Sequence, residues 1–236
     1  MPPTALRARA ALVALFALIA VSAATACTHG PAIELPPDAR RALLLDPSAS
    51  FWRMAGPDIY DVRIETTRGA FVVEITRASA PRGADRFYRL VRAGYYDDTR
   101  FTRVVPGFIA QFGIAGDSAV NAVWSHREMF DDAVHQSNAR GTIAFAMTGP
   151  NERTTQLYIN LADNRRLDEQ GFAPIGSVIR GMDVVDDLYS GYGETSGGGV
   201  RAGKQGPLLS GGNAYVDVRF PLLDHIISAR VCPCTQ

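Results

Sequence analysis

One short stretch of the chain combines a cation, an amide and large apolar side chains. Residues 101–113 read Phe-Thr-Arg-Val-Val-Pro-Gly-Phe-Ile-Ala-Gln-Phe-Gly, and two β-prone runs meet at Pro106-Gly107. Arg103 supplies the cation and Gln111 the amide, with Phe108 between them in sequence. A guanidinium and an amide beside apolar groups can bind and orient a polar substrate, because both donate hydrogen bonds. Taken singly, however, Arg103 is typical of a surface arginine and Gln111 of a solvent-facing strand residue.

Two further stretches have the same mixed character. The second reads Gly-Thr-Ile-Ala-Phe-Ala-Met-Thr-Gly-Pro-Asn from 141 and resumes as Thr-Thr-Gln-Leu-Tyr-Ile-Asn at 154. The third, from 167, reads Leu-Asp-Glu-Gln-Gly-Phe-Ala-Pro-Ile-Gly. In isolation Gln156 would be a surface residue, while Tyr158 and Phe172 would be ordinary core aromatics. The information therefore lies in the order and spacing of the three stretches together.

Together these stretches resemble the cyclophilins, the cyclosporin-binding class of peptidyl-prolyl isomerases. The resemblance covers about residues 59–189, and its most specific part is Phe-x-Arg-x-x-Pro-Gly-Phe-x-x-Gln. Gln-Gly-Phe-Ala-Pro from 170, Gly-Asn-Ala-Tyr from 212 and Phe220-Pro221 are similar to an exported bacterial subgroup. The resemblance implies a mainly β fold, a closed eight-stranded antiparallel β-barrel capped by two α-helices, with the active groove on its outer face. It also implies an enzyme that isomerises X-Pro bonds in proline-containing polypeptide clients and needs no metal or cofactor.

The resemblance assigns a role to each position that matches the family's motifs. Arg103 falls on the catalytic arginine, and Gln111 on the amide that contacts the substrate backbone. The remaining positions form the proline pocket, the strand edge that binds the peptide main chain, and a supporting groove position. These are Phe108, Ile109, Tyr158 and Leu167 for the pocket, Ala146 and Met147 for the strand edge, and Gln156 for the supporting position.

Three positions depart from the family pattern. Met147 replaces a common asparagine, which is a mild change because the family uses that residue's backbone. Phe172 stands where many members place a histidine, so it predicts a more apolar pocket edge. Arg166 stands where cyclosporin-sensitive members carry tryptophan. We therefore expect weak cyclosporin binding with activity retained.

The hydrophobic pattern predicts the elements that must position these residues. An alternating run over 60–66 and an apolar run over 70–75 flank Thr67-Arg68-Gly69 and predict a hairpin. Pro81 begins a helix that Gly94 closes, and 182–189 predicts a second helix. Short strands are predicted over 101–105, 108–112, 142–147, 157–161, 173–179 and within 222–231. The segment 191–212 is predicted to be a long glycine-rich loop, with Pro207 preventing a helix.

Other chemistries find little support in the residues. Gly198 to Lys204 matches the start of a phosphate loop, but Gln205 follows where such a loop carries Ser or Thr. Asp131-Asp132 is interpreted as an exposed acidic turn. With 24 Lys+Arg against 24 Asp+Glu, the chain offers no net field for nucleic acid or an anionic membrane.

The N-terminus has the layout of an export signal. Arg7 and Arg9 precede an apolar run that ends in small residues, which predicts a signal peptide over 1–26. Ala24-Thr25-Ala26 fits an ordinary signal-peptidase cleavage site. Cys27 fits instead a lipoprotein site, at which its thiol would carry a lipid as the only expected attachment to a membrane. The predicted organisation is then a Pro-rich tether over 27–58 that contains a helical candidate at 38–45, an isomerase domain over 59–231, and a C-terminal tail over 232–236. The predicted location is the periplasm or cell envelope.

Two rival interpretations stay open at this stage. A cyclophilin-like module could hold proline-containing segments without catalysis, as a chaperone or scaffold. The other is an envelope structural protein tethered through Cys27. A groove blocked by the 191–212 loop or by the N-terminal tether would favour it. Arg103, Phe108 and Gln111 are all present, which favours the enzyme.

Overall fold

A single antiparallel sheet of eight strands forms the body of the protein. The computed structural model describes residues 35–196 and 205–232. The predicted signal, Cys27, the phosphate-loop match and residues 233–236 of the predicted tail lie outside these ranges. The strand order is β3-β4-β6-β5-β7-β2-β1-β8. The strands are β1 (Ile59–Thr66), β2 (Gly69–Thr76), β3 (Arg103–Val105), β4 (Ile109–Phe112), β5 (Thr142–Phe145), β6 (Leu157–Asn160), β7 (Pro174–Arg180) and β8 (Ile226–Val231).

The sheet curls until its two edges meet, although no continuous ladder closes it. An isolated bridge joins Arg100, just before β3, to His225, just before β8. Backbone bonds from Phe101 to Asp224 and from Ile226 to Thr99 support it. The prediction of a mainly β, eight-stranded antiparallel fold is therefore confirmed, but closure is partial because β3 is short and the joining residues precede it.

Alternation along the strands separates the barrel interior from its surface. In β1, Tyr60, Val62 and Ile64 are fully buried, whereas the side chains between them are partly exposed. Period-two alternation of this kind places one face of a strand on a core. The interior is filled mainly by aromatic and β-branched side chains, which include Phe71, Ile75, Phe87, Tyr96, Phe101, Phe112, Ile143 and Phe145.

The helices are more numerous than predicted. The predicted pair corresponds to α2 (Pro81–Arg92) and the shorter α5 (Met182–Asp186). Besides this pair and the helical candidate at 38–45, further helices form where short segments pack on the barrel. The others are α1 (Pro37–Leu45), α3 (Ser118–Trp124), α4 (Arg166–Glu169) and α6 (Gly206–Arg219), with 3₁₀ turns at Ser50–Arg53 and Arg77–Ser79. None of the helices in the described ranges is long and apolar enough to cross a bilayer.

Helix α6 corrects the prediction of a continuous loop over 191–212. Pro207 lies in the first turn of α6, where its missing N–H costs no hydrogen bond. The helix is kinked at Gly212, whose φ of 54° is accessible to glycine. A Cβ at Gly212 would lie 2.2 Å from the Gly116 carbonyl oxygen, so the kink also permits close contact with that loop.

The segment before β1 packs on the barrel through α1 and the following turn. Arg40 Nη1 donates to Asp97 Oδ2 at 2.9 Å. The Trp124 indole N–H donates to the Leu44 carbonyl at 2.9 Å, and the Trp52 and Trp124 rings are 4.6 Å apart. The helical candidate at 38–45 is confirmed, and residues 35–58 are part of the packed structure.

At Gly176 the backbones of β7 and β2 approach too closely for any side chain. A Cβ there would lie 2.0 Å from the Glu74 carbonyl oxygen. We expect Gly176→Ala to reduce the free energy of unfolding by about 1–3 kcal/mol, because the strands must separate to admit the methyl group. Gly206→Ala is the matched control, since nothing lies within 4 Å of its Cβ position. Urea denaturation measures both, and equal midpoints would contradict the steric account.

Candidate active site

All ten residues predicted to form the site line one groove on the outside of the barrel. The groove has a volume of about 640 Å³. It extends over strands β3, β4 and β6, the end of β5, and helix α4. The predicted residues that line it are Arg103, Phe108, Ile109, Gln111, Ala146, Met147, Gln156, Tyr158, Leu167 and Phe172.

The cation and the amide are cross-strand neighbours. Arg103 on β3 is directly opposite Gln111 on β4, because the Pro106-Gly107 turn connects these two strands. Arg103 Nη1 donates to Gln111 Oε1 at 3.3 Å, and Gln111 Nε2 donates to Gln156 Oε1 at 3.0 Å. The Arg103 guanidinium carbon also lies 5.3 Å from the centre of the Phe108 ring. The hairpin thus places a guanidinium at the edge of an apolar surface.

The Arg103 guanidinium is almost completely buried. Only 3% of its side chain is exposed, and its Nε–H has no acceptor among the described residues. Burying an arginine is costly unless its donors are satisfied, so this placement requires the surrounding structure to stabilise it. A guanidinium held in this way is a fixed cation in a poorly hydrated site.

The apolar wall beside it forms a cluster separate from the barrel interior. Ile109, Tyr158 and Leu167 are buried in this cluster, and Phe108, Ala146 and Phe172 pack against it. The Tyr158 and Phe172 rings meet edge to face with their centres 5.8 Å apart. Phe172 therefore makes the pocket edge apolar, as its replacement of histidine predicted.

A buried polar network that the sequence did not reveal holds this wall in place. Asn138 accepts a hydrogen bond from the Tyr158 hydroxyl at 2.7 Å and donates to the Phe172 carbonyl at 2.8 Å. Its side chain also donates to Asp168 Oδ1 at 2.7 Å. Asn164 donates to the Phe108 carbonyl at 2.8 Å. Lone asparagines in loops carry no pattern by which sequence analysis could have found them.

The pKa values of Tyr158 and Asp168 favour the hydrogen bonds that these two side chains make in the network. Burial raises the pKa of the Tyr158 hydroxyl well above its ordinary value, so it remains a hydrogen-bond donor. Partial burial alone would raise the pKa of the Asp168 carboxyl. Hydrogen bonds from Ser137 and Asn138 outweigh that effect and hold the pKa of Asp168 below its ordinary value.

The chain that follows β5 continues along the groove. The β5 ladder ends at Phe145, earlier than predicted, but the Ala146 N–H still donates to the Gln156 carbonyl at 2.9 Å. Ala146 and Met147 are partly exposed there. The predicted strand edge is thus a short extension that lines the groove.

The segment that follows α5 contributes groove residues that were not predicted. Glu194 Oε1 accepts from Arg103 Nη2 at 2.5 Å, and Gln205 Oε1 accepts from Gln156 Nε2 at 2.9 Å. Leu209 of α6 also lines the groove. These residues lie in a glycine-rich stretch without hydrophobic periodicity, so no pattern in the sequence could have predicted them.

Comparison with known proteins agrees with this geometry. The family described as "Cyclophilin type peptidyl-prolyl cis-trans isomerase/CLD" matches residues 61–204. A peptidyl-prolyl cis-trans isomerase of Acinetobacter baylyi is 34% identical over 132 residues, which are 54% of this chain and 70% of the relative. One from Schizosaccharomyces pombe is 31% identical over 127 residues, which are 52% and 81% of the two chains.

A solved structure supports the fold. The Cryptosporidium parvum cyclophilin-type isomerase superposes with a TM-score of 0.53 at 20% identity, covering 75% of this chain and 99% of that chain. Because the family match spans more than half of the sequence and its motifs meet in one groove, the chain belongs to the cyclophilin-type peptidyl-prolyl cis-trans isomerases and is an enzyme of that class.

Proposed function

We propose that the groove accelerates rotation about X-Pro bonds of exported polypeptides, with Arg103 as the catalytic residue and Gln111 as the group that orients it and the substrate backbone. The observation that carries this proposal is the buried guanidinium, joined to Gln111 at 3.3 Å and held at the edge of an apolar pocket. No bond of the substrate need break, so this arrangement requires no nucleophile.

The chemistry follows from the electronic structure of the prolyl amide. Resonance gives the bond before proline its double-bond character, with a barrier of roughly 18–20 kcal/mol for ordinary peptides. In the twisted state the proline nitrogen becomes pyramidal and regains a lone pair. The Arg103 guanidinium can donate a hydrogen bond to that lone pair, whereas the planar amide offers it no such acceptor. Binding that strengthens only in the twisted state lowers the barrier.

The apolar wall makes that hydrogen bond effective. Phe108, Tyr158, Leu167 and Phe172 would hold the proline ring while the carbonyl side rotates. Excluding water from the pocket lowers the local dielectric and strengthens the arginine's interaction with the nitrogen. A thousandfold acceleration corresponds to about 4 kcal/mol, within reach of one charged hydrogen bond combined with positioning.

The substrate backbone has matching partners along the groove. Gln111, Gln156, Ala146 and Met147 all line the groove, where their side-chain amides and main-chain groups are proposed to contact the peptide. An extended peptide could pair there as an added strand, which supplies affinity without specific side-chain recognition.

We expect Arg103→Ala to fold normally and to lose at least a hundredfold in kcat/KM, because the variant cannot stabilise the lone pair of the twisted nitrogen. Arg103→Lys should also be poor, since an ammonium lacks the planar fork. Arg63→Ala, which removes a surface arginine paired with Glu65, is the control. Isomerisation of an X-Pro reporter peptide measures the rates, and titration measures peptide binding. Binding without acceleration by the unmodified protein would instead identify a proline-segment binding module.

We further propose that cyclosporin binds weakly. The guanidinium carbon of Arg166 lies 4.8 Å from the centre of the Phe108 ring. A charged side chain therefore stands where cyclosporin-sensitive members of the family carry tryptophan. We expect micromolar or weaker inhibition, and at least a tenfold tighter inhibition for Arg166→Trp with isomerase activity retained. Tight inhibition of the unmodified enzyme in a cyclosporin titration would contradict this assignment.

The clients and location are proposed from the N-terminal sequence. A basic, then apolar, then small-residue leader over 1–26 is typical of secreted proteins and supports a role in folding in the periplasm or cell envelope. The isomerase domain is proposed to begin near residue 59, after the segment that packs beside the barrel.

We expect the chain to be exported and to carry lipid on Cys27. Metabolic labelling with a fatty acid should label the natural chain and not Cys27→Ser. On fractionation, the natural chain should be recovered with the membrane and the variant in the soluble envelope fraction. An unlabelled chain that is still exported would instead support cleavage after Ala26, and retention in the cytoplasm would refute export.

A further inference from the structure

We propose that Glu194 is a positioning residue for the isomerase reaction: its carboxylate fixes the guanidinium of Arg103 in the orientation that the twisted substrate requires. The inference rests on the proposed role of Arg103 as the catalytic residue. Glu194 lies outside the motifs that identify the groove, in the segment between α5 and α6.

The two terminal nitrogens of Arg103 have different anchors. Nη1 donates to Gln111 Oε1 at 3.3 Å, and Nη2 donates to Glu194 Oε1 at 2.5 Å. Two acceptors on opposite terminal nitrogens fix the plane of a guanidinium, and the Phe108 ring is 5.3 Å from its central carbon. With Gln111 alone the guanidinium could still turn about its Cδ–Nε and Nε–Cζ bonds, and the second acceptor, Glu194, restricts that motion.

Glu194 is itself supported from two sides. Ser196 is only 2% exposed, and its hydroxyl donates to the Thr102 carbonyl at 2.8 Å. Thr102 directly precedes Arg103 in the chain. On the other side, the Tyr192 ring lies 5.2 Å from that of Tyr189 and 5.3 Å from that of Phe220. The carboxylate therefore comes from a turn that is anchored next to the residue it holds.

The different exposures of Arg103 and Glu194 indicate that Glu194 positions the guanidinium and does not block the substrate's access to it. The Arg103 side chain is 3% exposed and that of Glu194 is 57% exposed, so the carboxylate lies at the rim of the groove. A guanidinium has five N–H donors, and Gln111 and Glu194 use one each. Donors therefore remain for the substrate nitrogen. Because the carboxylate is solvated, it offsets the cost of burying the cation while neutralising it only in part.

We expect Glu194→Gln to lower kcat/KM by about 5- to 20-fold through kcat, since the orientation of the catalytic group is lost while the peptide site is unchanged. Glu194→Asp should recover part of the loss. Glu65→Gln is the matched control, because it removes a half-exposed carboxylate from the Arg63–Glu65 pair at 2.9 Å. Exchange spectroscopy on a short Ala-Pro peptide measures the rates at equilibrium.

The double variant tests whether Glu194 acts through Arg103. In an Arg103→Ala background, Glu194→Gln should have no further effect, because there is no guanidinium to orient.

Raising salt from about 0.05 M to about 1 M should reduce the rate of the natural enzyme towards that of Glu194→Gln, since screening weakens a half-exposed ion pair. A role confined to stability would not produce this salt dependence.

A readout without turnover separates this inference from the proposed function. Nitrogen NMR of the natural protein should resolve the two Arg103 Nη groups through slowed rotation, and Glu194→Gln should merge them. Merged signals in the natural protein, or an unchanged or increased kcat/KM in Glu194→Gln, would overturn the positioning role; an increase would mean that Glu194 competes with substrate. Full activity of Arg103→Ala would refute the proposed function instead.

Discussion

The burial of one guanidinium is the constraint on which the groove depends. A charge that is removed from water must find partners in the protein, and an arginine offers more donors than a strand face ordinarily satisfies. The β3–β4 hairpin supplies Gln111 from across the ladder, and the turn after α5 supplies Glu194. These acceptors hold the Arg103 guanidinium at the edge of an apolar wall. Without these acceptors the side chain would extend to solvent, and the wall would be only a hydrophobic patch.

The second requirement is an apolar surface that stays open on the outside of a barrel. The pocket cluster is separate from the interior cluster, so interior packing alone does not position it. Buried amides take over this role: Asn138 joins Tyr158 to Phe172, and Asn164 holds the Phe108 carbonyl. Directional hydrogen bonds suit the task, because they fix ring positions without filling the space that the substrate ring must enter.

The features that could be predicted from the sequence are those set by local pattern. The features that could not be predicted depend on contacts between residues distant in the chain. Alternation located the strands, and the resemblance to the cyclophilins identified ten residues that line one groove. Asp132 shows the limit, because its carboxylate accepts the Arg82 and Gly83 N–H groups at 3.1 and 2.8 Å and caps α2. It is buried, and the interpretation of Asp131-Asp132 as an exposed turn is wrong for this residue. Ala80 provides no side-chain cap for that helix, so a residue distant in sequence satisfies its first N–H groups.

The same limit explains why the region after α5 changes how the site is understood. The family match ends at residue 204, yet Leu209 lines the groove and Gln205 binds Gln156 from beyond that point. Gln156 in turn accepts from Gln111, so a chain of side-chain amides runs from the start of α6 to Arg103. A change at the start of α6 can therefore alter the hydrogen bonds of Arg103 without touching the groove motifs. Differences in rate or substrate preference between this enzyme and relatives with the same groove motifs should consequently be sought at Glu194, Gln205 and Leu209, which line the groove but lie outside those motifs.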